Sequence, residues 1–197
     1  VKKRVPITFC AEGPRTLHLG GRIFDGVIAG TGVLPEVISD TIARVRAGAL
    51  SEGRKADDVD VWFTTRSSLD IDGKRAVEAI HASVSSILNH SMRFGLDNKN
   101  VPKNLRDKIQ KYVDGYELYD HVLEAGRNPK RMSELGLTDY ALKRYALAGD
   151  AGDWIERISA LAEAGADKIW FSTERGDLDR QIHYMRVFAE QIRPQFQ

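Results

Sequence analysis

Apolar positions along the 197-residue chain fall into two patterns. Four short runs are rich in β-branched, aromatic or small apolar residues and are bounded by Gly, Pro or charged residues: Val5–Cys10, Gly26–Ala29, Val59–Thr65 and Ala166–Ser172. They predict strands. Other apolar residues recur at helical spacing. Leu17, Gly20, Gly21 and Phe24 follow Pro14, and Ile38, Ile42, Val45 and Ala49 follow Pro35. Proline suits the first turn of a helix, where its missing N–H is not needed. The paired glycines would let the first helix sit close to a sheet. Asp150, with Asp153 three residues on, reads as a capping box. It opens a helix with Trp154, Ile155, Ile158, Leu161 and Ala162 on its apolar face and Gly165 as its stop. A last helix carries Leu178, Ile182, Met185, Ala189 and Ile192 and ends near Pro194.

Between the third and fourth predicted strands the pattern is helical throughout, with helices expected over Gly73–Ser91, Asn104–Asp114, Leu118–Ala125 and Thr138–Ala148. Every strand is followed by a helix and none by a hairpin turn, which is the pattern of an α/β fold with a parallel sheet. Val61-Trp62-Phe63-Thr64-Thr65, then Leu69-Asp70, is echoed by Ile169-Trp170-Phe171-Ser172-Thr173, then Leu178-Asp179. The echo favours a (βα)8 TIM-barrel type over an irregular α/β fold. One domain over residues 1–197 is expected, with a helical insertion over roughly 73–148.

Composition narrows the class. Apolar residues make up 42% and charged residues 29%, the balance of a folded domain and not of a disordered one. Lys+Arg total 29 against 28 Asp+Glu, so the basic excess of a nucleic-acid binder is missing. No run approaches the ~20 apolar residues of a membrane helix. A single cysteine, Cys10, cannot form an internal disulfide. With no signal peptide in view, it points to a reducing cytoplasm.

In parallel α/β folds ligands bind at the carboxyl ends of the strands. Here those ends read Ala11-Glu12-Gly13-Pro14, Gly30-Thr31-Gly32, Thr65-Arg66-Ser67-Ser68 and Ser172-Thr173-Glu174-Arg175-Gly176. The first runs into a helix N-terminus, whose N–H groups and dipole favour an anion. Gly13 lets the backbone approach a phosphate with no side chain in the way. Gly30 and Gly32 flank Thr31 on the next strand. Adjacent strands lie ~4.8 Å apart, so both loops can reach one phosphate. Tight βα turns favour glycine on their own account, and spacing alone leaves both readings standing. Arg66 and Arg175 are candidates to meet an anionic substrate, against the plainer role of solvated loop charges.

The stretch Pro6-Ile7-Thr8-Phe9-Cys10-Ala11-Glu12-Gly13-Pro14-Arg15-Thr16-Leu17, followed by Asp25-Gly26-Val27-Ile28-Ala29-Gly30-Thr31-Gly32, resembles the second half of the bacterial-luciferase-like family. Ala148-Gly149-Asp150, with Leu161-Ala162-Glu163-Ala164-Gly165-Ala166-Asp167, is similar to the segment before that family's last strand. The resemblance is weakest from about Ile80 to Leu147. These are (βα)8-barrel oxidoreductases that use FMN or a deazaflavin, coenzyme F-420. The resemblance implies hydride transfer or monooxygenation on a small-molecule substrate. It matches Ala11, Glu12 and Gly13 to backbone amides on the cofactor phosphate, and Gly30, Thr31 and Gly32 to the adjoining loop. Arg15 is one turn into the helix and would add charge there, or simply be solvated.

Nothing in the chain corresponds to the family's first four strands, so the sequence reads as a C-terminal half barrel whose abrupt start on a strand is a truncation point. Such a sheet would have two open edges and an uncovered inner face, which favours association with the N-terminal half, a second subunit or another copy. Two alternatives stay open: a non-catalytic half-barrel subunit that completes a partner, and another phosphate-binding TIM-barrel enzyme.

The remaining signals are weaker. His18, His81, His90, His121 and His183 show no metal-ligand spacing. Cys10, inside a strand, is expected as a small buried apolar residue. In Trp62-Phe63 and Trp170-Phe171 one ring should face the barrel interior and the other the helices, with both in the core. The basic run Lys99–Lys111 is expected to be an exposed helical face. Tyr112, Tyr116, Tyr119, Tyr140 and Tyr145 cluster in the insertion, which is expected to form a lid or a subunit contact over the strand ends.

Overall fold

A computed structural model describes residues 4–121, 123, 125–173 and 178–197. Strands β1 (Thr8–Ala11), β2 (Gly26–Ala29) and β3 (Asp60–Leu69) alternate with helices α1 (Pro14–Ile23) and α2 (Pro35–Ser51). Helices α3 (Gly73–Ala79), α4 (His81–Met92), α5 (Arg106–Asp114), α6 (Arg127–Glu134) and α7 (Thr138–Tyr145) follow. They lead to strand β4 (Ala146–Gly149), helix α8 (Ala151–Glu163), strand β5 (Lys168–Thr173) and helix α9 (Leu178–Val187). Every strand pairing is parallel: β1 with β2, β2 with β3, and β3 with both β4 and β5.

Register explains how one strand takes three neighbours. β2 pairs with residues 60–63 of β3, β4 with residues 66–69, and β5 with residues 62–67. The β5 span overlaps both others, so β5 occupies one edge of β3 while β2 and β4 lie end to end along the other. The same register puts Ala11, Ala29 and Phe63 in one row facing the helices, and Cys10, Ile28 and Trp62 in a row on the opposite face. The helix-facing row belongs to a core with Leu17, Ile38, Trp154 and Leu161. The opposite face is largely open: Trp62 is 37% and Trp170 53% exposed. Cys10 is exposed there too, contrary to the expectation of burial. A strand buries both faces only where both are covered, and among the described residues nothing covers this one at β1.

Helices α1 and α2 pack backbone to backbone. A methyl on Gly21 would sit 1.9 Å from the Val45 carbonyl oxygen, and one on Gly48 2.0 Å from the His18 carbonyl oxygen. Of the paired glycines only Gly20 faces the sheet, where a methyl would meet Val27 Cγ2 at 2.5 Å. The capping box of α8 is present as expected. Asp153 N–H donates to Asp150 Oδ1 at 3.0 Å, and Asp150 N–H to Asp153 Oδ2 at 3.0 Å. Gly165 ends that helical segment in a left-handed conformation, at φ +98°.

The junction between β2 and β4 is held by Arg144, at the end of α7, which is 1% exposed. Its five N–H groups make five hydrogen bonds. Nε and Nη2 donate to the Thr31 carbonyl at 3.1 and 3.0 Å. Nη2 also donates to the Lys99 carbonyl at 2.8 Å, and Nη1 to the Asn100 carbonyl at 3.3 Å and the Tyr140 hydroxyl at 2.8 Å. Its own carbonyl accepts from Val33 N–H at 2.6 Å. Asn98 and Asn100 take φ of +57° and +53°, a region that asparagine tolerates better than most residues.

The structure departs from the sequence reading at several places. Ala146–Gly149 is a strand, not the end of a helix, so there are five strands among the described residues where four were expected. Ala and Leu favour helix, but pairing with the far half of β3 overrides a weak local preference. The expected helix Gly73–Ser91 breaks at Ile80, which leaves the helical region at ψ 4°. In the expected helix Leu118–Ala125, Leu118–Asp120 forms a 3-10 turn while Val122 and Glu124 lie outside the described residues, and Arg127–Glu134 is a helix that its charged, proline-containing sequence hides. β1 starts at Thr8, with Val5 and Ile7 exposed ahead of it. β3 runs on to Leu69, which places Arg66 within a strand. The last helix passes through a π turn at Phe188–Ile192 and ends in a 3-10 turn containing Pro194. The insertion has its own core, with Leu88, Met92, Ile109, Tyr112, Met132 and Leu137 fully buried. Tyr112 and Tyr145 are buried in it, so most of its tyrosine content serves packing; Tyr119 alone of the five is fully exposed.

Two substitutions test this packing. Arg144→Lys offers three donors in place of five and strands at least one of the four acceptor groups, at about 1–3 kcal/mol. A matching fall in unfolding free energy by denaturant titration is expected. Gly48→Ala is expected to cost about 1–3 kcal/mol by overpacking. An unchanged denaturation midpoint would contradict the close approach of α1 and α2.

Candidate active site

The carboxyl end of β1 delivers Ala11 and Glu12 to the mouth of a cavity of about 870 Å³. Its near wall is Cys10–Thr16 and Gly30, and its far wall is contributed by the insertion, at His90–Ser91, Phe94–Gly95 and Asp97–Lys99. Trp170 and Thr64 form the floor from the open sheet face. Gly13 caps α1 with an extended backbone, at φ −97° and ψ 154°. Its N–H donates to Thr16 Oγ1 at 3.1 Å, and that hydroxyl donates back to the Gly13 carbonyl at 2.9 Å. Pro14 has no N–H, so Arg15 and Thr16 supply the next backbone donors of the helix end.

Electrostatics centre on Glu12. Its Oε1 lies 3.2 Å from His90 Nε2. Burial pushes its carboxyl above the ordinary carboxylate range, and His90, Lys99 and Arg93 pull it part of the way back. Burial also lowers Lys99, which Glu12 partly offsets and Arg144 reinforces. Lys99 Nζ donates to the Ser91 carbonyl at 2.6 Å, which fixes the ammonium beside the cavity. A carboxyl with a raised pKa, touching an imidazole at a cavity wall, can hold a proton or hand one on.

Of the residues expected here, Ala11, Glu12, Gly13, Arg15 and Gly30 line the cavity. Thr31 and Gly32 do not. Both are buried, the Thr31 hydroxyl is 3.0 Å from Thr41 Oγ1, and its carbonyl is taken by Arg144. Gly32, at φ +106°, is glycine because a methyl there would strike Arg144 at 2.6 Å. Gly30 N–H continues the ladder to the Ala11 carbonyl at 3.1 Å, and a methyl on it would meet Glu12 at 2.7 Å. Arg66 lines a second, smaller cavity beside the first. Arg175 lies outside the described residues. His90 and Lys99 were not expected. His90 sits 78 positions from Glu12 in the chain, and only the folded insertion brings them together. Lys99 opens the basic run, yet it stands in the loop before Lys103–Leu105 and is half-buried, not on an exposed helical face. Among the described residues no group of His, Cys, Asp and Glu is arranged to hold a metal ion, and no helix is long and apolar enough to cross a membrane.

A cavity at the carboxyl ends of parallel strands, entered by a glycine-capped helix, agrees with what comparison shows. The family model of luciferase-like monooxygenases matches residues 1–168, and the chain belongs to that family. The F420-dependent glucose-6-phosphate dehydrogenase of Nakamurella multipartita is 24% identical over 191 residues, covering 96% of this chain and 48% of that protein. The 5,10-methylenetetrahydromethanopterin reductase of Methanopyrus kandleri is 24% identical over 194 residues, covering 98% of this chain and 51% of that protein. The solved structure of the coenzyme F420 dependent tetrahydromethanopterin reductase from Methanopyrus kandleri superposes with a TM-score of 0.68 at 22% identity, over 98% of this chain and 51% of that one. The fold is that of luciferase-like TIM-barrel proteins, and the chain spans about half the length of the curated relatives it matches.

The raised pKa of Glu12 makes two expectations. His90→Phe and Lys99→Met each remove a group that lowers it, so each should move the Glu12 carboxyl titration, followed by carbon NMR, to higher pH. The native state also holds this proton more tightly than the unfolded chain does. The stability it contributes is present at low pH and is lost as pH rises through the native pKa. Glu12→Gln should therefore gain stability relative to the parent as pH rises from the carboxylate range to neutral.

Proposed function

We propose that this chain is the C-terminal part, over 1–197, of a luciferase-like oxidoreductase that works with a deazaflavin of the F420 type or with FMN. Several relatives it matches are F420-dependent in name, which favours the deazaflavin. The observation that carries the reading is Gly13. Its backbone angles suit any residue, and a methyl on it would meet nothing closer than Thr16 Oγ1, at 3.4 Å. The fold does not require glycine at this position, whereas Gly32 is explained by its positive φ and its clash with Arg144. A phosphate approaching the Arg15 and Thr16 N–H groups supplies a reason for a bare backbone at Gly13.

On this reading Ala11, Glu12 and Gly13, with Arg15 and Gly30, hold the cofactor's phosphate end. The cofactor, when bound, supplies the hydride chemistry. The chain's own residues orient it, flank it with the Trp170 and Phe94 rings on the cavity wall, and hold a proton at the Glu12 carboxyl. Thr31 acts from behind, its carbonyl anchoring Arg144, and Gly32 leaves room for that side chain. The substrate is a small molecule.

The exposed face bearing Trp62 and Trp170, and the edges at β1 and β5, favour association with the N-terminal half of a barrel, on the same or a second polypeptide, or with another copy. The same exposed face favours a second reading, in which the chain is a half-barrel subunit that completes a partner without chemistry of its own. An exposed single thiol at Cys10 suits a reducing cytoplasm.

Cofactor titration of the completed protein separates these readings, followed by deazaflavin or FMN fluorescence. Gly13→Ala should weaken binding and Gly13→Val should weaken it at least tenfold, with little change in thermal midpoint because the fold accommodates a methyl. Equal affinity across parent, Ala and Val would remove the phosphate from this loop and leave the half-barrel subunit as the better account.

A further inference from the structure

A second cavity, of about 250 Å³, adjoins the first across Glu12, Gly30, Thr64 and His90. A water takes up ~30 Å³ of liquid, so the space holds several non-hydrogen atoms of a ligand. Most of its lining residues carry a polar side chain. Arg66 projects into the same face of β3 as Trp62 and Thr64, and Ser86, His121 and Tyr145 come from the insertion and its end. Arg66 is half-buried, and among the described residues its guanidinium has no hydrogen-bond or ion-pair partner. A guanidinium carries five donors in a planar fork, so a half-buried one with no protein acceptor is an unfilled site for a planar or tetrahedral oxyanion.

Tyr145 is a second, independent sign. It is 2% exposed, and among the described residues its buried hydroxyl has no hydrogen-bond partner. Ser91 is near enough to pull the Tyr145 hydroxyl part of the way down, but no bond between them meets hydrogen-bond geometry. Buried donors are rarely left unmatched, because each costs about 1–3 kcal/mol. Burial pushes the Tyr145 hydroxyl up to about 12, so it is a donor across the physiological range. The charged and titratable groups facing the space are Arg66, His90, His121 and Glu12. The Glu12 charge is offset by His90 and Lys99, while among the described residues Arg66 has no ion-pair partner.

We propose that this second cavity seats an anionic group of the substrate, a carboxylate or a phosphate, on the Arg66 guanidinium with the Tyr145 hydroxyl as an added donor. That the anion belongs to the substrate rests on the oxidoreductase reading above; the preference of the cavity for an anion does not. The first cavity then takes the cofactor and the second the charged end of the molecule it acts on, with Glu12 and His90 at the boundary where the two meet.

The test is nitrogen NMR of the full chain at constant ionic strength, reading the Arg66 Nε–H resonance against inorganic phosphate in one arm and acetate in the other. A saturable shift is expected in at least one arm, and the tighter arm names the anion. Arg66→Gln should weaken binding of that anion at least tenfold, by calorimetry, and Arg66→Lys should restore part of it. Tyr145→Phe should weaken binding several-fold without lowering the thermal midpoint of the free chain. No saturable shift in the parent, or unchanged affinity in both Arg66→Gln and Tyr145→Phe, overturns the proposal. Repeating the titration on Gly13→Val keeps the two readings apart. Loss of cofactor affinity there with the Arg66 shift intact is expected, and an Arg66 shift that vanishes with Gly13→Val overturns a separate anion seat.

Discussion

Much of the molecule hangs on one buried cation. Arg144 joins three segments far apart in sequence: the loop after β2 at Thr31, the insertion loop at Lys99 and Asn100, and its own helix at Tyr140. Among the described residues its partners are carbonyl and hydroxyl oxygens, with no carboxylate. A buried charge without a counter-ion is costly, and only a full set of hydrogen bonds makes it tolerable. Arginine can provide that set because its five donors diverge in a fixed plane. The rings of Tyr140 and Tyr145, with centroids 5.9 and 5.5 Å from the guanidinium carbon, add cation–π stabilisation.

The candidate site inherits its shape from that joint. Two of its walls belong to structures with separate cores, the sheet with its helices and the insertion with its own cluster. Arg144 ties the Lys99–Asn100 loop to Thr31, so the distance between the walls is set by hydrogen bonds and not left to loop entropy. The Lys99 side chain can then stand beside Glu12, and His90 can reach it. A rigid scaffold that positions groups from distant parts of a chain is how an active site obtains geometry that no short motif contains.

What could be read from the chain alone follows from how local the cause is. The parallel α/β architecture, the capping box at Asp150 and Asp153, and the glycine-capped start of α1 all depend on neighbours within a few residues. Those expectations agree with the structure. β4 was hidden because Ala146-Leu147-Ala148-Gly149 carries no β-branched residue and owes its conformation to pairing with Arg66–Leu69. Cys10 was misplaced because burial of a strand residue depends on what lies over its face. Glu12 and Gly13 were visible as a strand-end loop, but His90 and Lys99 were not, since their contacts close over a long separation. The Thr31 carbonyl binds Arg144 and Gly32 leaves it room, roles that no local pattern marks, because Arg144 resembles any arginine of an amphipathic helix until its partners are known.

The tandem use of β3 has a consequence for how the chain is made. β3 ends at Leu69, but its pairing with β4 waits for Ala146–Gly149 and its pairing with β5 for Lys168–Thr173. During synthesis the strand is therefore in hand long before the partners of its far half and of its second edge emerge. Contacts this remote in sequence are slow to form, and an unpaired strand edge is a template for other chains. The α-helical insertion emerges in that interval, and its residues pack largely into a core of their own.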